Sequence, residues 1–341
     1  MKHINNNNIV VKKKDKDIDK SDDFPYKRIY TTDDQIHEMF NKLQKFNYKD
    51  RILIKSYVLK NINFPSNKLL FMNEPVLLIN KESDYNNWNT ISDMFQEKCR
   101  MKCKLYGQNL SAFEYWFNNK DKIKQYSLKN YGKDTPFYLR ESIYHLTGEC
   151  TSHRPNIIMS MIQMFNSKTV LDFSAGWGDR LIGCMAANID FYCGVDPNSC
   201  LYDNYIKMIK FFNKSTDKFF MIESTIEDAI LPDKKFDLIF TSPPYFDLEI
   251  YTKNNKQSSR YTTEYLWFNN FLKEAINKVW KYLKNGGIMC ININQKNRKE
   301  HYIEWMLEYV KTFKDSYYMG VISYANEKIA NPQPIWIWKK K

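Results

Sequence analysis

The chain has 341 residues, of which 43% are apolar and 16% aromatic. This composition is sufficient for a large buried core, so it excludes a wholly disordered protein and a single small module. The 51 Lys and Arg against 39 Asp and Glu give a net charge of +12, which is typical of proteins that bind phosphates in nucleic acid or on an anionic membrane.

The first 23 residues are polar and rich in Asn, which predicts a disordered tail without the apolar segment of a secretory signal. No run of about 18 apolar residues occurs, so no membrane span is predicted. Seven irregularly spaced cysteines indicate reduced thiols inside a cell. The expected compartment is the cytoplasm, a nucleoid, a nucleus or a viral factory. Cys99 and Cys103 share a helix face without a second pair, so neither a metal site nor a disulfide is expected.

Residues 24–150 have a mixed pattern. IHEMFNKLQKF, ISDMFQEKCRMKCKLYG and SAFEYWFNNKDKIKQY have helical spacing, whereas RILIKSYVL and KLLFMNEPVLLI are typical of short strands. We therefore expect an N-terminal domain of α+β or mainly helical type.

From residue 151 to residue 341, strands alternate with helices. Seven strands are predicted, at 168–173, 191–196, 218–222, 236–241, 286–293, 317–324 and 334–338. This alternation predicts an α/β domain with a Rossmann-like, doubly wound, seven-stranded, mostly parallel sheet. In such a sheet the ligand crevice lies beyond the carboxyl ends of the strands.

The first strand of this region ends in a glycine-rich loop, Asp172-Phe-Ser-Ala-Gly-Trp-Gly-Asp179. Gly176 and Gly178 allow backbone angles closed to other residues and a close approach of a ligand. No Gly-Lys-Ser/Thr follows, and Leu181 replaces the third glycine of a dinucleotide fingerprint. The loop therefore favours a nucleoside ligand without a pyrophosphate.

Carboxylates follow the next two strands. Asp196 ends the second strand, where two carboxylate oxygens match the two hydroxyls of a ribose, although capping of the following helix is the alternative. After the third strand, either Glu227 or Asp228 is expected to accept a hydrogen bond from an adenine amino group.

The fourth strand ends in Thr241-Ser242-Pro243-Pro244-Tyr245. An exocyclic amine of a nucleobase is a poor nucleophile, because its lone pair is delocalised, and acceptors held around it favour a more pyramidal nitrogen. Ser242 supplies one acceptor, the Pro-Pro step supplies a fixed carbonyl, and Tyr245 offers a face on which a flipped base can stack. A rigid turn that merely ends the strand is the alternative.

Together these segments resemble class I S-adenosylmethionine-dependent methyltransferases that modify amino groups of DNA bases, the N4-cytosine and N6-adenine DNA methylase type. VLDFSAGWGDR, GVDPN and TSPPY carry the resemblance, and Ser152-His153-Arg154-Pro155-Asn156 is similar to that family's His-Pro segment. It implies S-adenosylmethionine as cofactor. The cofactor-binding residues that follow from the loop, the carboxylates and the His-Pro segment are Asp172, Ser174, Gly176, Gly178, Asp196, Glu227, Asp228, His153, Arg154 and Pro155.

The same resemblance implies that Ser242, Pro243, Pro244 and Tyr245 are catalytic. The Ser form of the motif favours N4 of cytosine over N6 of adenine. Asp247 and Glu249, just beyond it, are further candidates for receiving a proton or binding the base. Methylation at ring carbon 5 is disfavoured, because related enzymes place the required thiolate in a Pro-Cys dipeptide and this chain has none.

The polar segment after the motif carries Lys253, Lys256 and Arg260, which are predicted to contact nucleic acid unless the segment is a plain surface loop. Few residues remain outside the predicted strands and helices after 151, so target recognition is assigned to residues 24–150. The expected partner is nucleic acid, with DNA favoured over RNA, and the oligomeric state is left open. Two other hypotheses stay open: an RNA base amino-methyltransferase, and an inactive nucleic-acid-binding subunit of a methyltransferase complex.

Overall fold

The computed structural model describes residues 23–62, 69–105, 107–246, 249–251, 257 and 260–341. The strands are β1 (Ile52–Ile54), β2 (Val76–Asn80), β3 (Lys104–Leu105), β4 (Thr169–Asp172), β5 (Phe191–Asp196), β6 (Phe219–Glu223), β7 (Phe236–Thr241), β8 (Glu249–Ile250), β9 (Leu283–Asn292), β10 (Ser316–Asn326) and β11 (Gln333–Lys340). The helices are α1 (Asp33–Gln44), α2 (Glu82–Met101), α3 (Ala112–Asn118), α4 (Lys120–Tyr131), α5 (Pro136–Thr147), α6 (Pro155–Phe165), α7 (Asp179–Ala186), α8 (Ser199–Phe211), α9 (Glu264–Trp267), α10 (Lys273–Trp280) and α11 (Tyr302–Lys311). Within these described ranges, no helix combines the length and the apolarity needed to cross a bilayer.

The large sheet has the order β1-β2-β10-β11-β9-β7-β4-β5-β6. Its parallel pairs are β2 with β10, β9 with β7, β7 with β4, β4 with β5, and β5 with β6, so the predicted mostly parallel, doubly wound sheet is confirmed. The seven predicted strands correspond to β4 to β7 and β9 to β11. The sheet has two further strands, β1 and β2, which come from the N-terminal region.

The order in which the chain adds strands to the sheet changes side at β4. From β4 the chain proceeds to β5 and β6 on one side, and β7 then returns to the other side of β4. The glycine-rich loop after β4, Asp196 at the end of β5 and the motif after β7 consequently lie at one edge of the sheet. This reversal is the place where open α/β sheets bind their ligands.

Helices cover both faces of the sheet. Buried side chains of α1, α2, α6, α7 and α8 form one core, and those of α10 and α11 contribute to the core on the other face. Helices α6 and α7 touch at Gly183, where an added Cβ would lie 2.4 Å from Ile158 Cγ2. Helices α3 to α5 pack around a smaller separate cluster that includes Phe24 and Trp116. The predicted domain boundary near residue 150 stays a prediction.

A buried ion cluster fixes α2 and α5 to the segment that leads into the sheet. Arg100 Nη2 lies 2.7 Å from Asp93 Oδ2. Arg140 donates to Glu97 Oε1 through Nε and to Glu149 Oε1 through Nη1, both at 2.7 Å. All five residues are at most 8% exposed, so each charge is stabilised by its ion-pair partners rather than by water.

Replacing Arg140 by methionine should lower the free energy of unfolding by about 3–5 kcal/mol, because Glu97 and Glu149 would lose their buried partner. Urea-induced unfolding measures this change. Replacing Lys42, which pairs with Glu38 on the exposed surface of α1, should have no measurable effect. An unchanged unfolding midpoint for Arg140→Met would contradict the assigned role of the cluster.

Cys99 in α2 and Cys200 in α8 form a disulfide with their Cα atoms 6.1 Å apart. The expectation of reduced thiols throughout is therefore wrong for this pair. Cys99 precedes Cys200 by 101 residues, and only the packing of α2 along α8 brings them together. The remaining cysteines are free and buried.

Candidate active site

A cavity of about 490 Å³ opens at the carboxyl edge of the sheet, within the size range of small-molecule sites. The predicted site residues that line it are Ser174, Gly176, Asp196, Glu227, His153, Arg154, Ser242, Pro243, Pro244, Tyr245 and Arg260. Four other predicted residues, Asp172, Gly178, Asp228 and Pro155, are not among its lining residues. Lys253, Lys256 and Asp247 lie outside the described residues.

Asp172 supports the glycine-rich loop from below. It is fully buried and accepts hydrogen bonds from Arg180 Nε at 2.7 Å, Thr241 Oγ1 at 2.9 Å and Tyr192 Oη at 3.0 Å. These donors come from α7, β7 and β5, so the carboxylate joins the elements on either side of β4. Its observed contacts are with protein groups.

The two glycines of the loop have different surroundings. Both have positive φ, +58° at Gly176 and +86° at Gly178. A Cβ on Gly178 would lie 3.0 Å from Met208 Cε, so this glycine allows α7 to pack against α8. A Cβ on Gly176 would have no atom nearer than 3.8 Å, so Gly176 leaves room for a ligand at the cavity wall.

The Asp196 carboxylate is held by two backbone donors. Gly176 N donates to Oδ2 at 2.8 Å and Asn198 N donates to Oδ1 at 2.9 Å. The side chain of Asn198, not that of Asp196, caps α8 by accepting from Cys200 N at 3.2 Å. Burial raises the pKa of Asp196 to about 6. Each oxygen keeps acceptor capacity toward the cavity.

Of the two acidic residues after β6, Glu227 lines the cavity and Asp228 does not. Asp228 instead accepts from Thr225 Oγ1 at 3.0 Å. Arg260 Nη2 donates to Glu227 Oε1 at 3.0 Å, and its guanidinium lies over the Tyr261 ring, 4.9 Å from the centroid. Arg260 therefore stands beside Glu227, and its contact with nucleic acid stays a prediction.

The predicted catalytic motif begins directly at the end of β7. Thr241 is buried and pairs with Ile291 of β9, which fixes the point from which Ser242 to Tyr245 enter the cavity wall. Burial raises the pKa of Tyr245 above its ordinary value, so its hydroxyl stays neutral. The Asn294 backbone forms a hydrogen bond with this tyrosine.

His153 packs edge-on against Phe240 and Tyr324, with ring centroids 5.6 Å and 6.1 Å away. Burial, and next the charge of Arg180, hold the pKa of His153 well below its ordinary value. The imidazole is consequently neutral at the cavity wall.

Two further carboxylates line the cavity: Asp179, for which the sequence predicts no role, and Glu249, which is a predicted candidate for receiving a proton or binding the base. Asp179 accepts from Ser92 Oγ at 2.6 Å and also from Ser152, and burial raises its pKa to about 6. Glu249, in β8, accepts from Thr151 N at 2.8 Å, and burial raises its pKa as well. Asp179 is the last residue of the glycine-rich loop, and this position is the only feature of the sequence that indicates a role for Asp179 in the site.

The cavity wall carries four described carboxylates and the guanidinium groups of Arg154, Arg180 and Arg260. The described carboxylates on its wall are Asp179, Asp196, Glu227 and Glu249. Arg180 pairs with the buried Asp172, and Arg260 pairs with Glu227. The open wall at Gly176 beside the held Asp196 carboxylate can receive a ribose, and a sulfonium cation would lie among carboxylates.

Comparisons with known proteins add a family match. Residues 236–341 match a family model described as DNA methylase. No curated protein matches the chain.

Several solved structures are similar in part. An rRNA methylase from Streptococcus thermophilus is 14% identical with a TM-score of 0.37, over 56% of this chain and 99% of that one. A Streptococcus mutans protein in complex with SAH is 15% identical with a TM-score of 0.38, over 56% of this chain and 100% of that one. Likeness at this level says nothing of the substrate. The family match over residues 236–341, the sheet order around β4 and the motifs around one cavity together support a class I S-adenosylmethionine-dependent methyltransferase of the DNA methylase type.

Proposed function

We propose that the protein transfers a methyl group from S-adenosylmethionine to the exocyclic amine of a nucleobase in DNA, with N4 of cytosine favoured over N6 of adenine. One observation carries the proposal: Asp196 and Gly176 line the same cavity as Ser242, Pro243 and Tyr245. A nucleoside held at the first pair and an amine held at the second would therefore meet inside it.

In this proposal one part of the cavity, the cofactor half, binds and orients S-adenosylmethionine. It consists of Gly176, Asp179, Asp196, Glu227 and Glu249. The Asp196 carboxylate accepts from the ribose hydroxyls, while Gly176 allows the ligand to approach the backbone. Glu227, Asp179 and Glu249 line the cavity. Glu227 would hold the adenine, and Asp179 and Glu249 would lie near the methionine part, where carboxylates stabilise a cation. S-adenosylmethionine, when bound, supplies an electrophilic methyl group.

The other part, the motif half, consists of Ser242, Pro243, Pro244 and Tyr245. It binds the target base and makes the amine of that base more nucleophilic. The Ser242 hydroxyl and the Pro243 carbonyl accept hydrogen bonds from the amine, which favours a pyramidal nitrogen with its lone pair available. The Tyr245 ring stacks on the flipped base, a contact typically worth about 1–3 kcal/mol per base. A nitrogen held close to the methyl group would attack it in line, and the bond between the methyl carbon and sulfur would break as the new bond forms, so no covalent enzyme intermediate would be needed. The nitrogen becomes positively charged as the new bond forms and would release its proton to solvent, so a dedicated base would not be required.

The nature of the acceptor base is tested by product analysis. The protein is incubated with S-adenosylmethionine carrying a labelled methyl group and with matched DNA and RNA, and the products are digested to nucleosides. We expect label in N4-methylcytosine from DNA. Label in N6-methyladenine would correct the base, label from RNA alone would favour an RNA methyltransferase, and no label would favour the inactive subunit.

Cofactor affinity should depend on pH. The pKa of Asp196 is about 6, so its carboxylate is ionised at pH 7.5 and mostly protonated at pH 5. A protonated carboxyl loses the charge and part of the acceptor capacity, so affinity should fall by about tenfold between these values. Calorimetry of wild type and Asp196→Asn measures this effect. Equal pH dependence in both proteins would contradict the assignment to Asp196.

A further inference from the structure

The cavity continues past Ser242 along the ends of β9, β11 and β10. The strand register orders this wall. Thr241 pairs with Ile291, so Ser242 stands next to Asn292. Asn292 pairs with Ile335, and Gln333, two residues nearer the edge, pairs with Tyr324. Ser242, Asn292, Gln333 and Tyr324 therefore lie in order along the edge of four adjacent strands.

This part of the wall differs chemically from the cofactor half. The lining residues from β9, β10, β11 and the intervening loop are all neutral, namely Asn292, Tyr324, Ala325, Asn326, Ala330, Asn331 and Gln333. Most of them carry an amide or hydroxyl, so they offer both donors and acceptors. A neutral ligand edge with alternating donors and acceptors matches such a wall, as Asn and Gln match base edges elsewhere.

Hydrogen bonds hold the row in place. Asn292 is 1% exposed, and its Nδ2 donates to Pro334 O at 2.7 Å. Tyr324 Oη donates to Asn292 Oδ1 at 3.4 Å. Gln333 Nε2 donates to Asn331 O at 3.1 Å, and Asn294 Nδ2 donates to Gln333 Oε1 at 3.5 Å.

We infer that Gln333 and Tyr324 bind the ring edge of the target base and that Asn292 positions them. This inference rests on the proposed function. The amine of the base lies at Ser242, and its ring nitrogens and any ring carbonyl extend along the row toward Gln333. The hydrogen bonds of Gln333 to Asn331 and Asn294 use one donor and one acceptor position of its amide, which leaves one N–H and one lone pair for the base.

The test uses Gln333→Met, which keeps the length of the side chain, and Tyr324→Phe, which keeps the ring. The matched controls are Gln44→Met at the end of α1 and Tyr317→Phe, whose side chain is 57% exposed at the opposite end of β10. Transfer is measured on the nucleic acid that the wild type methylates. We expect kcat/KM for nucleic acid to fall about tenfold or more in both test variants. The cofactor Kd and the Tm should stay at wild-type values, as should all parameters of the controls.

A second substrate separates base recognition from a structural role. It is an oligonucleotide whose target base has one ring nitrogen replaced by C–H. Replacing the ring nitrogen that Gln333 binds should lower the kcat/KM of the wild type about tenfold. The same replacement should lower the kcat/KM of Gln333→Met little further, because this variant already lacks the contact. The same loss in both proteins at every ring position, or wild-type kcat/KM in both test variants, would overturn the inference. Failure of the wild type to methylate any nucleic acid would instead overturn the proposed function, and this inference with it.

Discussion

Ser242→Ala should lower the rate of methyl transfer by about 100-fold or more while the cofactor Kd stays within about twofold of wild type. The hydroxyl is expected to act on the amine only, and Ser242 lines the cavity together with Pro243, Pro244 and Tyr245. Losing it leaves the lone pair of the amine delocalised into the ring. Single-turnover assays with labelled cofactor measure the rate, and calorimetry measures the Kd.

Ser167→Ala is the matched control. Ser167 is 3% exposed and lies just before β4, at the opposite edge of the sheet from the cavity. It should transfer methyl groups at the wild-type rate. A Ser242→Ala rate close to that of the control would remove Ser242 from the catalytic motif and leave the alternative of a rigid turn.

Asp196→Ala should weaken cofactor binding by about 100-fold. The carboxylate has a twofold role: it faces the cavity, and it holds the glycine-rich loop through Gly176 N. Alanine removes both contacts, whereas Asn keeps one oxygen acceptor, so Asp196→Asn should weaken binding less. The alternative reading as a helix cap predicts a stability loss only, and the observed cap is Asn198.

Asp190→Asn provides the comparison for Asp196. Asp190 is exposed and precedes the other end of β5. Its replacement should leave cofactor binding unchanged. If Asp196→Ala bound S-adenosylmethionine as tightly as this control, the ribose assignment would be wrong.

The strands around the cavity were predictable from sequence because each is a short apolar run that ends in a functional turn. VLDF followed by two glycines, and FDLIFT followed by Ser-Pro-Pro-Tyr, mark both the strand and the site at its end. These signals are local, since strand, turn and loop chemistry all lie within a few residues. The predicted strands agree with the observed ones to within three residues at every end.

Features that depend on distant segments were not predictable in the same way. Strand β2 joins the sheet beside β10, with Leu77 opposite Ser323, and neither segment carries a mark of the other. The Cys99–Cys200 disulfide likewise depends on α2 packing along α8. The row from Asn292 to Tyr324 exists only through strand register, because amides scattered over three strands form no motif.

The choice between Glu227 and Asp228 shows the same limit on a smaller scale. Adjacent residues at the start of a turn point in different directions, and sequence does not say which faces the cavity. In the structure Thr225 binds Asp228 and leaves Glu227 on the cavity wall beside Arg260.

In the proposed function, one cavity brings the cofactor's methyl group to an amine held at Ser242. A crystal structure of the protein with S-adenosylhomocysteine or sinefungin tests it most directly. We expect the ribose hydroxyls to lie on Asp196 and the methyl-bearing sulfur position to face Ser242, with space between sulfur and Ser242 for an amine nitrogen. A ligand bound elsewhere, or one whose sulfur position faces away from Ser242, would contradict it.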